Sequence, residues 1–241
     1  MSRLVDLTQE FFDGMPGFSF TQPDGTRVDC TAHIREALSH ADTAAFYDGH
    51  CAFAYTEASF FTSIGTRLDA PYIRYPEMRD IAALRLDELV LPGLVVDARD
   101  SDPEAALTAA DVDLPEDLGG HAVLFNFGWD AHWGGARYLD NPYLGDDLID
   151  LLIGRGAKLV GVDTVSVDGK VDPTRPAHSR LLARDILIVE DLRHLDRLHG
   201  TRFRFFAMPI PARGAASMPV RAFAEVSRDV AADGAAGDGG P

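Results

Sequence analysis

Residues 63–74 read Ser63-Ile64-Gly65-Thr66-Arg67-Leu68-Asp69-Ala70-Pro71-Tyr72-Ile73-Arg74, and the reading of this stretch decides the rest. Arg67 places a permanent positive charge next to Asp69. A guanidinium has no lone pair to give a metal, so its natural partner is a carboxylate, either Asp69 or Glu190. Asp69 with Arg67 can be a buried ion pair and nothing more. Ser63 supplies a hydroxyl, but no G-x-S-x-G elbow surrounds it, which argues against a nucleophile. Alone, a Gly-Thr-x-x-Asp-x-Pro frame is of limited specificity, so the flanking chain has to be weighed with it.

Working outward, Leu4 to Leu7 predicts a short opening strand, and Gly14-Met15-Pro16-Gly17 breaks it. Thr31 to His40 is expected to be a short helix with Thr31 as N-cap, and Phe53 to Phe61 a strand. Apolar runs at 94–97, 122–127, 158–163 and 186–190 read as buried strands. The last two end on Asp163 and Glu190, either side chains delivered to a cleft or caps of the next helix. Asp146 to Arg155 carries a leucine and isoleucine stripe closed by Gly154 and Gly156, which predicts a helix. Phe203–Pro209 and Val220–Val226 read as closing strands. No repeat or linker divides residues 1–228, which are expected to form one domain. Residues 229–241, mostly Gly, Ala and Asp, are expected to be a disordered tail.

The 241 residues are 46% apolar and 25% charged, enough for a sizeable core. Cys30 and Cys51 are isolated, giving neither a disulfide framework nor a CxxC site, and fit a reduced cytoplasmic setting. No signal peptide and no apolar run of membrane-spanning length are read. The net charge of −16 opposes nucleic-acid and anionic membrane partners. The expected partner is a small-molecule substrate.

The quoted stretch resembles the signature H-x-G-T-H-x-D-x-P-x-H of the metal-dependent cyclase family that includes bacterial kynurenine formamidase and isatin hydrolase. Leu4–Pro16, Leu86–Asp97, Phe127-Gly128-Trp129 through Asn141-Pro142-Tyr143-Leu144, and Gly161–Asp168 are similar to further blocks of that family. His178 and Glu190 match its H-x11-E pair. The similarity runs, in order, over roughly residues 4–226. It implies an α/β fold of the swivelling β/β/α type, usually a homodimer. It also implies a zinc or manganese ion that activates water against an amide, lactam or ester carbonyl.

This chain departs from the pattern. Ser63, Arg67 and Ile73 stand where the signature has histidines, and Asn141 replaces the histidine of the H-P-Y-L block, while Asp69, His178 and Glu190 remain. In one reading Asp69, His178 and Glu190 still hold one divalent metal. In another the site is metal-free, with His178 or Glu190 as acid or base and Arg67 stabilising an oxyanion; cyclisation or dehydration then suits it better than hydrolysis. In a third the fold survives as a binding subunit, with Glu190 and His178 serving as local caps. The expected catalytic set is Arg67, Asp69, His178 and Glu190. Ser63, Ile73, Trp129 and His132 are the expected substrate contacts. His33, His40 and His50 lack ligand spacing, and His194 and His199 read as solvated on a surface helix.

Overall fold

The computed structural model describes residues 2–102 and 105–227; the tail expected at 229–241 lies outside the described residues. The chain opens with β1 (Arg3–Asp6), β2 (Pro16–Thr21), β3 (Arg27–Leu38) and the short α1 (His40–Ala44). There follow β4 (Tyr55–Phe60), β5 (Arg67–Asp69), β6 (Val90–Asp97), β7 (Ala106–Leu107), β8 (Ala122–Asn126) and β9 (Tyr143–Leu144). Then come α2 (Asp146–Gly154), β10 (Leu159–Val162), α3 (Pro176–Leu182), β11 (Leu187–Glu190), β12 (Phe203–Pro209) and β13 (Ser217–Val226).

Eight strands form one sheet, ordered β1-β13-β12-β6-β8-β10-β11-β5. β13 also pairs with β5, so the sheet closes into a barrel-like ring and the fold is mixed α/β. The length of β13 makes closure possible. Ser217–Pro219 pair with β5, and the residues after them pair with β12. β6, β8, β10 and β11 run parallel, and β8, β10 and β11 are buried along their whole length. Continuous apolar runs are what strands covered on both faces require.

Side-chain alternation splits the core in two. Leu68, Leu124, Val189 and Phe205 join one apolar cluster inside the ring. Val123, Phe125, Val160 and Ile188 join another, with Leu148, Ile149 and Leu152 of α2 and Leu181 and Leu182 of α3. The predicted stripe of α2 is thus its buried face, each such side chain contributing roughly 1.5–3 kcal/mol. After α2, Gly156 turns the chain at φ +81°.

The helix expected over Thr31–His40 is instead most of β3. Cys30 and Ala32 are buried, with Val28 and Ile34 half-buried, a period of two rather than 3.6. β3 pairs with β2 on one side and β4 on the other, forming a separate three-stranded antiparallel arm. The N-cap is Ser39, which opens α1 through a capping box with Asp42. Nor is there a surface helix at 194–199: His194 is left-handed at φ 58° and a single 3₁₀ turn follows it, while His199 Nε2 lies 2.7 Å from Asn126 Nδ2.

Candidate functional site

The antiparallel register of β5 on β11 builds the site. Glu190 stands directly opposite Arg67, and Ile188 opposite Asp69. Opposed residues share a face, so Arg67, Asp69 and Glu190 all project outward, while Leu68 and Val189 point into the ring. Gly65 permits the approach to β5: its φ is +61°, and a Cβ there would sit 2.4 Å from Met15 Cε.

Arg67 is only 7% exposed. Its Nη2 donates to Glu190 Oε2 and, at 2.9 Å, to the Val165 carbonyl. Its Nη1 donates to Asp191 Oδ2 at 2.6 Å and to the Gly65 carbonyl at 3.3 Å. Burial works against its charge, but Glu190, Asp191 and Asp69 outweigh that and hold it firmly protonated. The terminal N–H groups are therefore engaged inside the protein, while Arg67 still lines the cleft. Its carboxylate partners are Glu190 and Asp191, not Asp69.

His178 enters from α3. Asp168 organises that helix start, accepting from Ala177 N at 2.6 Å, from His178 N at 3.2 Å and from His178 Nδ1 at 2.5 Å. The ring is thereby oriented with Nε2 at 3.4 Å from Asp69 Oδ2 and 3.5 Å from Glu190 Oε1. Burial alone lowers the imidazole pKa, but Glu190, Asp168 and Asp69 together push it up to about 10. Glu190 Oε1 also accepts from Val167 N at 2.8 Å, so the glutamate is anchored in the site and does not cap a helix. Asp191 is pushed up to about 7 by burial despite Arg67, and Tyr138 donates its hydroxyl to it at 2.6 Å.

The residues fit one metal ion. Donor atoms of Asp69, His178 and Glu190 lie within 4.8 Å of one another. Asp69 Oδ1 is buried with no hydrogen-bond partner, which in a carboxylate 1% exposed calls for a cation or a donor. A histidine whose other nitrogen is fixed by a carboxylate is the usual arrangement behind a metal ligand.

These groups line a cleft of about 930 Å³ that also contains Ser63, Ile73, Asn141, Lys170 and Arg175. Ser63 Oγ is 2.7 Å from Ser217 Oγ. Asn141 Nδ2 is turned to the Pro142 and Ser166 carbonyls. Trp129 and His132 do not line the cleft. Trp129 is buried and its indole donates to the Tyr138 carbonyl at 3.0 Å, with His132 edge-on at 4.7 Å. Trp133 instead lines an adjoining cavity of about 200 Å³, with Tyr138 and Arg67. Asp163 accepts from Phe127 N at 3.0 Å and Trp129 N at 3.1 Å, fixing the turn after β8. Asp168, Asp191 and Tyr138 were not singled out from the sequence. Asp168 ends the Gly161–Asp168 block and Asp191 follows Glu190, which is the signal that was available.

Among the described residues no helix is long and apolar enough to cross a membrane. A kynurenine formamidase of Erythrobacter litoralis is 32% identical over 149 residues, 62% of this chain and 66% of that protein. One from Bordetella avium is 29% identical, over 71% of this chain and 80% of that protein. An isatin hydrolase solved with the product analogue thioisatinate shares the fold at TM-score 0.81 and 21% identity, over 94% of this chain and 93% of that one. Isatin hydrolase A of Labrenzia aggregata does so at 0.77 and 23%, over 93% and 94%. The model of the family described as putative cyclase matches residues 5–169, a span holding Arg67, Asp69 and the Asp168 that braces His178. The chain belongs to the cyclase family.

Proposed function

We propose that this chain is a hydrolase or cyclase of small carbonyl compounds that holds one divalent ion, zinc or manganese, at Asp69, His178 and Glu190. The observation that carries this reading is the buried, unpartnered Asp69 Oδ1 beside His178 Nε2 and Glu190 Oε1. When bound, such an ion polarises a carbonyl and lowers the pKa of water. The protein's own groups prepare for it. Asp168 orients the His178 ring with Nε2 toward Asp69 and Glu190, the Val167 amide fixes Glu190, and Arg67 pairs with its other oxygen.

The residues also bear on the substrate. By resemblance the last signature histidine moves a proton, and Ile73 in its place has none to give. An amide nitrogen needs protonation to leave, whereas a phenolate or enolate does not. The cleft therefore suits an activated ester, a lactone or a cyclisation better than the formamide of the formamidase relatives. A substrate from specialised metabolism fits that shift.

Elemental analysis of protein purified without a metal-affinity tag, before and after zinc or manganese loading, tests the site. About one ion per chain is expected, lost in Asp69→Ala and His178→Ala. Phenyl acetate, a lactone, an aryl formamide and isatin then form the activity panel. No ion under any loading overturns the single-ion reading.

The imidazole held up to about 10 favours a second reading, in which protonated His178 acts without metal as a general acid in dehydration or cyclisation. Turnover that survives chelation and dies in His178→Gln selects it.

A further inference from the structure

We propose that the cavity adjoining the cleft is a subsite for an uncharged, apolar group of the substrate, opened in this chain by the loss of the first signature histidine. That the bound group belongs to a substrate rests on the hydrolase reading; that the cavity takes such a group does not. The cavity of about 200 Å³ and the cleft share Phe18, Ser63, Arg67, Leu139 and Val165 as wall, so one leads into the other. Ser63 stands at this junction in place of the histidine. Its hydroxyl is turned to Ser217 Oγ at 2.7 Å. An imidazole at the same position would fill room that the serine leaves open.

The wall decides what enters. Its charged residues are Arg67 and Asp191, and they pair with each other at 2.6 Å. Arg67 is also matched by Glu190, and the other oxygen of Asp191 accepts the Tyr138 hydroxyl at 2.6 Å. A charged group entering the cavity would lose its water and find no free counter-charge, which is costly. The rest of the wall is apolar, with Ile64, Trp133 and Ala136 beside the shared Phe18 and Leu139. Phe18 is 38% and Leu139 45% exposed, so two large apolar side chains stand in water at the junction, where a ligand's apolar group would cover them. A cavity of roughly 150 Å³ takes a benzene ring. This one therefore holds a single ring with a small substituent, or a chain of about six carbons.

The chain has two tryptophans, and Trp129 is not in the wall of this cavity, so the Trp133 indole N–H reports on it. Benzyl alcohol titrated into ¹⁵N-labelled full-length protein should shift that signal saturably, with half-saturation at roughly 10 mM or below. Ser63→His, which narrows the passage, and Leu139→Asp, which charges its rim, should each weaken binding about tenfold or more with the remaining spectrum unchanged. In zinc-loaded protein, kcat/KM for p-nitrophenyl esters should rise roughly fourfold per methylene from acetate to hexanoate. It should fall about tenfold or more when the far end of the six-carbon chain carries a carboxylate, as in the adipate monoester. No saturable Trp133 shift, or a shift that both variants leave unchanged, overturns the proposal. Binding with no ester hydrolysed upholds the apolar cavity and overturns the hydrolase reading instead. Hydrolysis indifferent to chain length, even where benzyl alcohol binds, overturns the cavity's role as a substrate subsite.

Discussion

Replacing Arg67 by methionine tests whether this side chain is the electrostatic keystone of the β5–β11 ladder. The change leaves Glu190 and Asp191, 1% and 3% exposed, without their cation, and leaves the Gly65 and Val165 carbonyls without a donor. Breaking a buried ion pair from one side costs about 3–5 kcal/mol. Simple addition over both carboxylates overstates the loss, because Asp191 is already pushed up to about 7 and takes a proton readily. Most of the cost falls on Glu190. The expected loss is therefore about 3–5 kcal/mol in all, or a fall in Tm of roughly 6–20 °C for a chain of this size. Urea unfolding at pH 7.5 measures it, and a double-mutant cycle apportions it. Arg67→Met/Glu190→Gln should recover more stability than Arg67→Met/Asp191→Asn, because Asp191, already pushed up to about 7, sheds its charge readily without the arginine. A loss below about 1 kcal/mol, the range of an exposed salt bridge, would refute the reasoning and return Arg67 to the oxyanion-stabilising role expected from the sequence.

Asp168→Asn should lower metal affinity or turnover by about 10–100-fold with the fold intact, since an amide braces the His178 ring less well; isothermal titration with zinc checks it. His178 makes metal-free protein sensitive to alkali. Its folded-state pKa of about 10 lies above the ordinary imidazole value of 6.5, so its stabilisation is complete below pH 6.5 and is lost as pH rises through 10. The amount at stake is roughly 4–5 kcal/mol at most. Urea midpoints at pH 6, 8 and 10 should fall in the wild type and stay flatter in His178→Gln. Finally, Ser63→His/Arg67→His/Ile73→His should raise the bound-metal count by one ion per chain in elemental analysis. An unchanged count means that these positions do not share one site.

Long, strongly patterned segments were legible in the sequence, and short-range chemistry was only partly so. α2 announced itself through Leu148, Ile149 and Leu152, and β8, β10 and β11 through unbroken apolar runs. β3 misled because Thr31, Ala32, Ile34, Ala37 and Leu38 also satisfy a helical spacing; pairing with β2 and β4 decides the matter, and pairing partners are not visible locally. Asp69, His178 and Glu190 were found through the resemblance and are brought together as it implied. Asp191 and Tyr138 were missed because their role arises only when β11 ends beside Arg67 and the 136–139 turn packs above it. Trp129 and His132 carry the right chemistry for a pocket wall, yet Asp163 pulls their turn into the core.

A charge balance connects these features. Asp69, Asp168, Glu190 and Asp191 are all buried, and each lies within ion-pair distance of Arg67, His178 or Arg175. With every carboxylate ionised and the imidazole neutral, four negative charges face the two arginines, and 4 − 2 leaves a deficit of two. In low dielectric such a deficit does not stand; it is met by protons or by a cation. The upward shifts of His178 and Asp191 are the protonic answer, and they still leave Asp69 Oδ1 without a partner. The proposed divalent ion would meet the whole deficit and give that oxygen a partner. The substitution of arginine into the signature thus supplies a single fixed charge on the Asp191 side of Glu190, and it is the arithmetic of the remaining carboxylates, more than the motif they descend from, that calls for an ion on the other side.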